Sequence, residues 1–393
     1  MLLHAVSFLP SGYIEDNVKH SAEELERGAS PLLGDDRMAY IMDYNTDALI
    51  IMESYTLSAD DAQSVFSNPM RYNGEDSQRR SLIELCEGQP TNNNYVRYWM
   101  GFRVLIRPLL MVFSYSGICW LISIFFFALA FAVVAFAAAK ASVRSALCYA
   151  AALCLINPSI AAHSPQFSCC FLLGFAFCIY MLAADKRGKR YAFLFCAFGT
   201  LTQYFDFYTA PLVTLGFPLL MLLESGRLSG HTIRRTLRCI ALWLYGYAAM
   251  WLCKLGMTGI FTGINGFADG LNSLGGRLGV SVVAGFEEYY SVARALRSVW
   301  STAFPGSLTL PSALVFAAAV LMACVVYICR GIREEKELAA AELIVTLLPL
   351  AWYAVAAQPS SIHAWFQYRS LAVLFFGAFL FVSRAAALLI RHR

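Results

Sequence analysis

The chain has 393 residues, 59% of them hydrophobic and only 14% charged, against roughly 25% charged residues in soluble domains. Water is therefore excluded as its main solvent. The formal net charge of +4 does not mark a nucleic-acid partner, because the basic residues sit in short clusters between apolar runs and build no continuous basic face.

Residues 1–10, MLLHAVSFLP, are apolar and then give way to polar, acidic sequence. They carry no basic n-region and no small-residue cleavage site, so they do not fit a signal peptide. They read as the stub of a truncated transmembrane helix, with a disordered start as the alternative. Residues 11–94 hold most of the 26 acidic residues and no sustained apolar periodicity, which predicts a small, loop-rich extracytoplasmic segment that leans on the rest of the chain. Residues 95–116, YVRYWMGFRVLIRPLLMVFSYS, set Tyr95, Arg97, Tyr98, Trp99, Arg103 and Arg107 among aliphatic side chains. That mixture predicts an amphipathic helix lying in the membrane interface, bent or ended by Pro108.

Residues 117–393 predict an all-α integral membrane protein, a bundle of about nine transmembrane helices. About 20 apolar residues cross the hydrocarbon core, fewer where the bilayer thins or a helix end is sheltered. The runs are 117–138, 146–161, 167–184, 191–204, 207–224, 239–260, 308–329, 341–357 and 369–388. The loops alternate in charge: Lys140 and Arg144; Lys186, Arg187, Lys189 and Arg190; Arg227, Arg234, Arg235 and Arg238; Arg330, Arg333 and Lys336; and Arg391 with Arg393. The opposite loops, including the long outer loop 261–307, are poor in Lys and Arg apart from Arg277, Arg294 and Arg297. By the positive-inside rule the basic loops and the C-terminus are cytoplasmic, and the N-terminal segment is extracytoplasmic, in a multi-pass protein of the cell membrane.

Of the 12 cysteines, only Cys86 falls in the long polar segment, and the chain has no CxxC or paired His/Cys spacing. That predicts buried small-hydrophobe cysteines rather than a disulfide framework or a structural zinc site. No P-loop, GxGxxG or internal repeat is present, which removes the usual nucleotide-binding motifs and weakens the transporter folds built from duplicated halves.

Ionisable groups at membrane depth are costly and mark sites. Asp206, in QYFDFYT, is a lone carboxylate among Tyr204, Phe205, Phe207 and Tyr208 in a very short turn; it is either a ligand-facing group or the cap of the next helix. His363, Tyr368 and Arg369 meet at the junction of the last outer loop and the last span. There the arginine can hold a phosphate and the histidine exchange a proton, or Arg369 can serve as an interfacial anchor with Trp365 and Tyr368. In GDDRMAYIMDYNTDALIIMES, Asp43 and Asp47 are four apart, on one helical face, and Asp36 precedes them. Paired carboxylates divide acid and base roles or bind a divalent ion, and surface aspartates are more often merely solvated. Lys254 falls a little below the outer interface, snorkelling or pointing inward as a cation beside Arg369 and Arg107; Arg384 is expected to snorkel to the cytoplasmic side.

Asp35 and Asp36, or Asp43 and Asp47, after a first apolar segment, together with outward Arg and His groups, resemble the GT-C class of membrane glycosyltransferases. MDYNTDALI, YVRYWMGFRVLIRPLL and QYFDFYTAPLVTLGFPLL also resemble uncharacterised multi-span bacterial proteins. The chain departs from the GT-C pattern in lacking a complete first span and a soluble C-terminal domain, and in being short. The resemblance implies a polyprenyl-phosphate sugar as donor and an extracytoplasmic acceptor, a cell-envelope glycan or lipid. It implies Asp43, Asp47 or Asp36 as the catalytic carboxylate. Arg369, Arg107 or Lys254 would hold the lipid phosphate, with Asp206, His363 and Tyr368 on the substrate and a divalent metal as the open cofactor question. A transporter or lipid flippase would instead need polar groups near the bilayer midplane. A non-enzymatic protein that binds a partner through its ectodomain would need no buried charge.

Overall fold

The computed structural model describes residues 2–28, 38–61, 63–73, 78–184, 191–206, 208–277 and 291–391. Asp36, and the basic loop residues Lys186, Arg187, Lys189 and Arg190, lie outside them. The described residues are helical apart from irregular connections and one short antiparallel pair, β1 Pro69–Met70 with β2 Asn93–Asn94.

The N-terminal segment is a helical cap, not the loop-rich segment expected. It comprises α1 Leu2–Ser7, α2 Glu15–Arg27, α3 Tyr44–Tyr55, α4 Ser64–Ser67 and α5 Gln78–Cys86. In α2, Val18, Ser21, Ala22 and Leu25 are buried at helical spacing. Its opposite face carries Glu15–Lys19 and Glu23–Arg27 pairs one turn apart, of the kind that adds only a few tenths of a kcal/mol each. The apolar first ten residues become the six-residue α1, seated on α6 Arg103–Leu109.

Residues 95–102 are not helical, so the amphipathic helix expected over 95–116 is confined to Arg103–Leu109, with Pro108 in its last turn. The cause is competition for carbonyls. Asn68 Nδ2 donates to Tyr95 O and Tyr98 O, and the Arg103 guanidinium donates to Trp99 O and Met100 O. Side chains thus occupy Tyr95 O, Tyr98 O and Trp99 O, Met100 O is shared between the Arg103 backbone N–H and its guanidinium, and Met100 sits in the left-handed region at φ 54°.

The bundle follows: α7 Tyr115–Lys140, α8 Val143–Cys154, α9 Pro158–Ala162, α10 Pro165–Ala183, α11 Tyr191–Phe205, α12 Val213–Glu224 and α13 Thr232–Thr262. Then come α14 Gly266–Arg277, α15 Val292–Ala303, α16 Thr309–Arg330, α17 Arg333–Val355, α18 Ala357–Ile362, α19 Ala364–Gln367 and α20 Leu371–Arg391. Six of these regions, built on α7, α10, α13, α16, α17 and α20, are long and apolar enough to cross a membrane; α8 and α12 are shorter apolar helices. The chain is thus an all-α protein with the helices of a multi-pass membrane protein.

Burial grades the bundle from centre to edge. Every residue of α12 from Val213 to Leu223 is buried. At 12 residues it rises roughly 18 Å, less than a bilayer core, and its neighbours rather than lipid solvate it. Phe171 and Phe175 of α10, Phe217 of α12, Tyr149 of α8 and Phe376 of α20 interlock edge to face around it. By contrast, only 11% of the apolar window of α16 is buried, against 61% for α10, so α16 forms the rim. Between α11 and α13 the backbones touch. A Cβ at Gly199 would lie 2.0 Å from Trp243 O, and one at Gly246 would lie 2.1 Å from Cys196 O. Small residues permit such an approach without side chains between the helices.

At the end of the bundle remote from the cap, α8, α12, α17 and α20 bury an ionic cluster. Arg384 pairs with Glu224, and its Nη1 lies 2.8 Å from Glu342 Oε1 at an angle poor for a hydrogen bond. Arg144 reaches the same Glu224 at 2.9 Å, and Ser145 Oγ donates to it at 2.5 Å. Arg384 therefore does not snorkel outward; two carboxylates inside the bundle hold it.

Two outcomes follow from this packing. Gly246→Val should lower the thermal stability of detergent-purified protein by about 1–3 kcal/mol or more, because the obstacle is a backbone carbonyl, whereas Gly12→Ala, with open space around its Cα, should leave it unchanged. Arg384→Ala should cost about 3–5 kcal/mol, since it leaves two buried carboxylates facing one another, and the same melting measurement checks it.

Candidate functional site at the capped end

The cap is fastened to the bundle by buried charge satisfied with backbone oxygens. Arg103 and Arg107 are fully buried. Besides Trp99 O and Met100 O, Arg103 reaches Val65 O at 3.2 Å and Asn68 Oδ1 at 2.9 Å. Arg107 Nε donates to Val6 O at 3.1 Å, while its terminal nitrogens donate to Ser54 O, Tyr55 O, Leu9 O and Ser11 Oγ. A guanidinium carries five N–H groups, so Arg107 has no donor left for a phosphate in this arrangement. Its charge neutralises the carbonyl ends of cap helices instead.

Asp43 is the N-cap of α3, accepting from Thr46 N and Thr46 Oγ1. One turn on, Asp47 is fully buried. Tyr115 Oη donates to its Oδ2 at 2.7 Å, and Ser164 Oγ and Gln166 N donate to its Oδ1 at 3.1 and 3.2 Å. Burial pushes this carboxyl up to about 7, against the pull of those donors. Asp47 is a joint between the cap, α7 and α10, with both oxygens occupied.

Two concavities flank the end of α11. The first is an apolar groove of ≈ 490 Å³ between α6, α7 and α10, where Leu105, Ile106, Leu109, Ile122 and Phe125 meet Cys169 and Phe205. The second is a partly open pocket of ≈ 160 Å³ whose walls include Tyr98, Tyr208, Tyr247, Trp251 and Trp352, with Gln203, Arg97 and Ser273 among its polar groups. Trp352 Nε1 is buried without an acceptor. Arg97 pairs with Asp269 at 3.2 Å and donates to Ser273 Oγ at 2.9 Å.

Tyr208 is held with φ at 66°, a strained conformation for a residue with a Cβ that persists only where its surroundings over-determine it. Gln367 supplies part of that constraint, its Nε2 donating to Tyr208 O at 2.7 Å. Asp206 belongs to the same 203–208 segment, is 4% exposed and is not among the lining residues of either concavity. Its Oδ1 accepts from Thr209 N and Thr209 Oγ1, and its Oδ2 has no partner. Burial raises this carboxyl from its ordinary value, opposed first by the Cys170 thiol and then by the Thr209 and Tyr208 donors. It closes the turn at 206–209 and does not cap α12, whose N-cap is Leu212, and its second oxygen makes no hydrogen bond.

The last sequence cluster adjoins this region. Arg369 is buried over the Phe167 ring, 4.3 Å from its centroid, and donates to Trp365 O and Ala39 O, while its Nε has no partner. Tyr368 Oη donates to Ile156 O at 2.8 Å. His363 is half-buried and stacks on Phe366. Of the residues singled out in the sequence, Arg369 and Tyr368 touch, with the guanidinium 5.0 Å from the Tyr368 ring centroid, while Asp47, Asp206 and His363 each contact other residues. Lys254 does not join them. It is fully buried, its Nζ donates to Phe66 O at 2.7 Å, and it shares a charge cluster with Arg103 and Glu53.

Glu53 is the surprise of that cluster. It is fully buried, lies 3.8 Å from Arg103 Nη1 and accepts no hydrogen bond on either oxygen. Burial, opposed by the two cations, pushes its carboxyl up to about 8. The sequence pattern, which includes Glu53 among the carboxylates of the N-terminal segment, does not single out the aromatic pocket, since Tyr247 and Trp251 read as ordinary members of an apolar span. Their spacing of four residues, one helical face, was the available signal. Among the described residues no group of three or more His, Cys, Asp or Glu side chains lies together in a way that could hold a metal ion. No protein-family model, curated protein or solved structure matches the chain.

The raised Asp47 and Glu53 carboxyls fix the sign of a pH effect. The native state holds protons that the unfolded chain releases near pH 4, so their contribution is complete below about pH 4 and is lost as pH rises through about 7 to 8. Melting temperature should therefore fall between pH 5 and pH 9, and Glu53→Gln should flatten part of that slope; a slope of opposite sign refutes the assignment.

Proposed function

We propose that the protein is a membrane glycosyltransferase that moves a sugar from a polyprenyl-phosphate donor to an extracytoplasmic acceptor. In this reading the chain crosses the membrane about nine times, with the capped end outside and the C-terminus in the cytoplasm. The observation that carries it is the pairing of an apolar groove with an aromatic pocket, both lined by residues of the 203–208 segment, which also bears Asp206. A lipid-linked sugar has the same two halves. An isoprenoid tail fits a groove of Leu, Ile and Phe side chains, and the apolar face of a pyranose stacks on Trp and Tyr rings.

The roles follow from which groups have capacity left. Asp206 keeps an unpartnered oxygen and is held above the usual carboxylate range, properties of a general base. Asp47 has neither oxygen free, and Asp43 is committed to Thr46. In the transfer, an acceptor hydroxyl attacks the anomeric carbon and its proton passes to the Asp206 carboxylate. The bond from that carbon to the phosphate oxygen breaks, and the electron pair leaves on the polyprenyl phosphate. Arg97, at the pocket, is placed to stabilise that charge, whereas Arg107 and Lys254 are spent on carbonyls. Gln203 and Trp352 Nε1 orient the sugar; Arg369 and His363 support the wall.

A transporter or flippase is the second reading, favoured by Glu342 and Glu224 inside the bundle. Proton flux through proteoliposomes distinguishes the two.

In proteoliposomes supplied with a panel of synthetic polyprenyl-phosphate hexoses and pentoses, Asp206→Asn should lower turnover about 10²-fold or more, and Trp352→Ala should raise KM. Asp47→Asn should lower the melting temperature and leave turnover per folded molecule intact. Equal turnover by wild type and Asp206→Asn would refute the assignment of the base, and transfer by neither with any donor would refute the activity.

A further inference from the structure

Arg294 and Arg297 break the charge rule that the other loops obey, and α15 explains where they sit. Ala295, Val299 and Thr302 are its buried face, and Arg294 and Arg297 are exposed on the other. Such a helix lies along a membrane interface with its basic side toward headgroups. Beneath it opens a groove of ≈ 900 Å³, quite separate from the two concavities at α11.

The groove is ordered like an amphiphile. Leu350 of α17 and Leu371 and Leu374 of α20 line one side, and Ala313 and Phe316 of α16 the other. Arg297, Ser301 and Ser307 bring polar groups to it from α15 and the following turn. Trp300 Nε1 donates to Thr309 O at 3.1 Å and to Ser312 Oγ at 3.0 Å, pinning α15 to the start of α16. Since α16 is the least buried of the long helices, a chain enters from the bilayer without crossing protein. Among the described residues no carboxylate lines the groove, and Arg297 is the charged side chain there.

We propose that α15 and this groove form a binding site for an anionic phospholipid of the leaflet in which α15 lies, with an acyl chain between α16 and α20 and the headgroup on Arg297. The site is independent of the transfer reaction and stands if that reaction is refuted. A basic residue at a membrane surface favours an anionic over a zwitterionic lipid by about fivefold, which sets the size of the effect.

The test is lipid retention by the full chain. Protein reconstituted in nanodiscs of phosphatidylcholine and phosphatidylglycerol, then re-extracted in mild detergent, is analysed by native mass spectrometry. Phosphatidylglycerol should be enriched about fivefold over its share in the disc. Arg297→Gln should abolish the preference and keep a bound lipid, and Ala313→Trp, which fills the groove, should remove both lipids. Melting temperatures of both variants confirm that they are folded, and Leu314→Trp on the exposed side of α16 serves as a second groove-neutral control. No enrichment in the wild type, or the same enrichment in Arg297→Gln, overturns the proposal. Displacement by glycerophosphoglycerol, which has the headgroup and no acyl chain, overturns the lipid as occupant.

Discussion

The architecture depends on one buried carboxylate. Asp47 is given three donors by residues that the chain supplies 68, 117 and 119 positions later, at the first turns of α7 and α10. A helix start leaves unsatisfied N–H groups, and a carboxylate placed there satisfies one of them and meets the positive end of the helix dipole. Burying the group without those donors would cost several kcal/mol. The cap, the entry into the bundle and its central helix are consequently held in one relative position, and the groove between α6, α7 and α10 takes its shape from that position.

The remaining buried charges divide by what neutralises them. At the capped end, Arg107 is surrounded by backbone and hydroxyl oxygens, so each N–H finds an acceptor without a second ion being desolvated, whereas Arg103 combines carbonyls with the buried Glu53 at 3.8 Å. At the other end, Arg384 is matched by Glu224 and Glu342 from two different helices. The first arrangement tolerates small shifts of the cap, since carbonyls are plentiful; the second fixes α12, α17 and α20 against each other, since each ion has few alternatives.

Much of this was legible in the amino-acid pattern, and the residues show where it stopped being so. The all-helical bundle and its long apolar helices follow from composition and run length, because lipid demands helices of a given length. The cap misled, since its helices bury polar as well as apolar residues; α3, which encloses Asp47, Glu53 and Ser54, shows no clean apolar stripe. Residues 95–102 read as helical because composition does not reveal that Asn68, about thirty positions away, takes their carbonyls. At the site, Asp206 stood out as a lone carboxylate in an aromatic turn. The walls of the pocket come from four separate segments, and only their folding brings Trp352 to Tyr208. Glu224 and Glu342 sit at the ends of what look like ordinary apolar runs, so nothing local announces their shared arginine.

The partners of the two cap arginines carry a consequence for synthesis. The hydrogen-bond acceptors of Arg103 and Arg107 lie between residues 6 and 100, so all of them have left the ribosome before α7 has. The cap can close around its arginines early, as a protected unit. Asp47 waits for Ser164 and Gln166, and during that interval the nascent chain carries an acid that is stable only when protonated or solvated. The order of synthesis therefore lets the cap close on its arginines first and meet α7 next, while the Asp47 joint is completed only once α10 has been made.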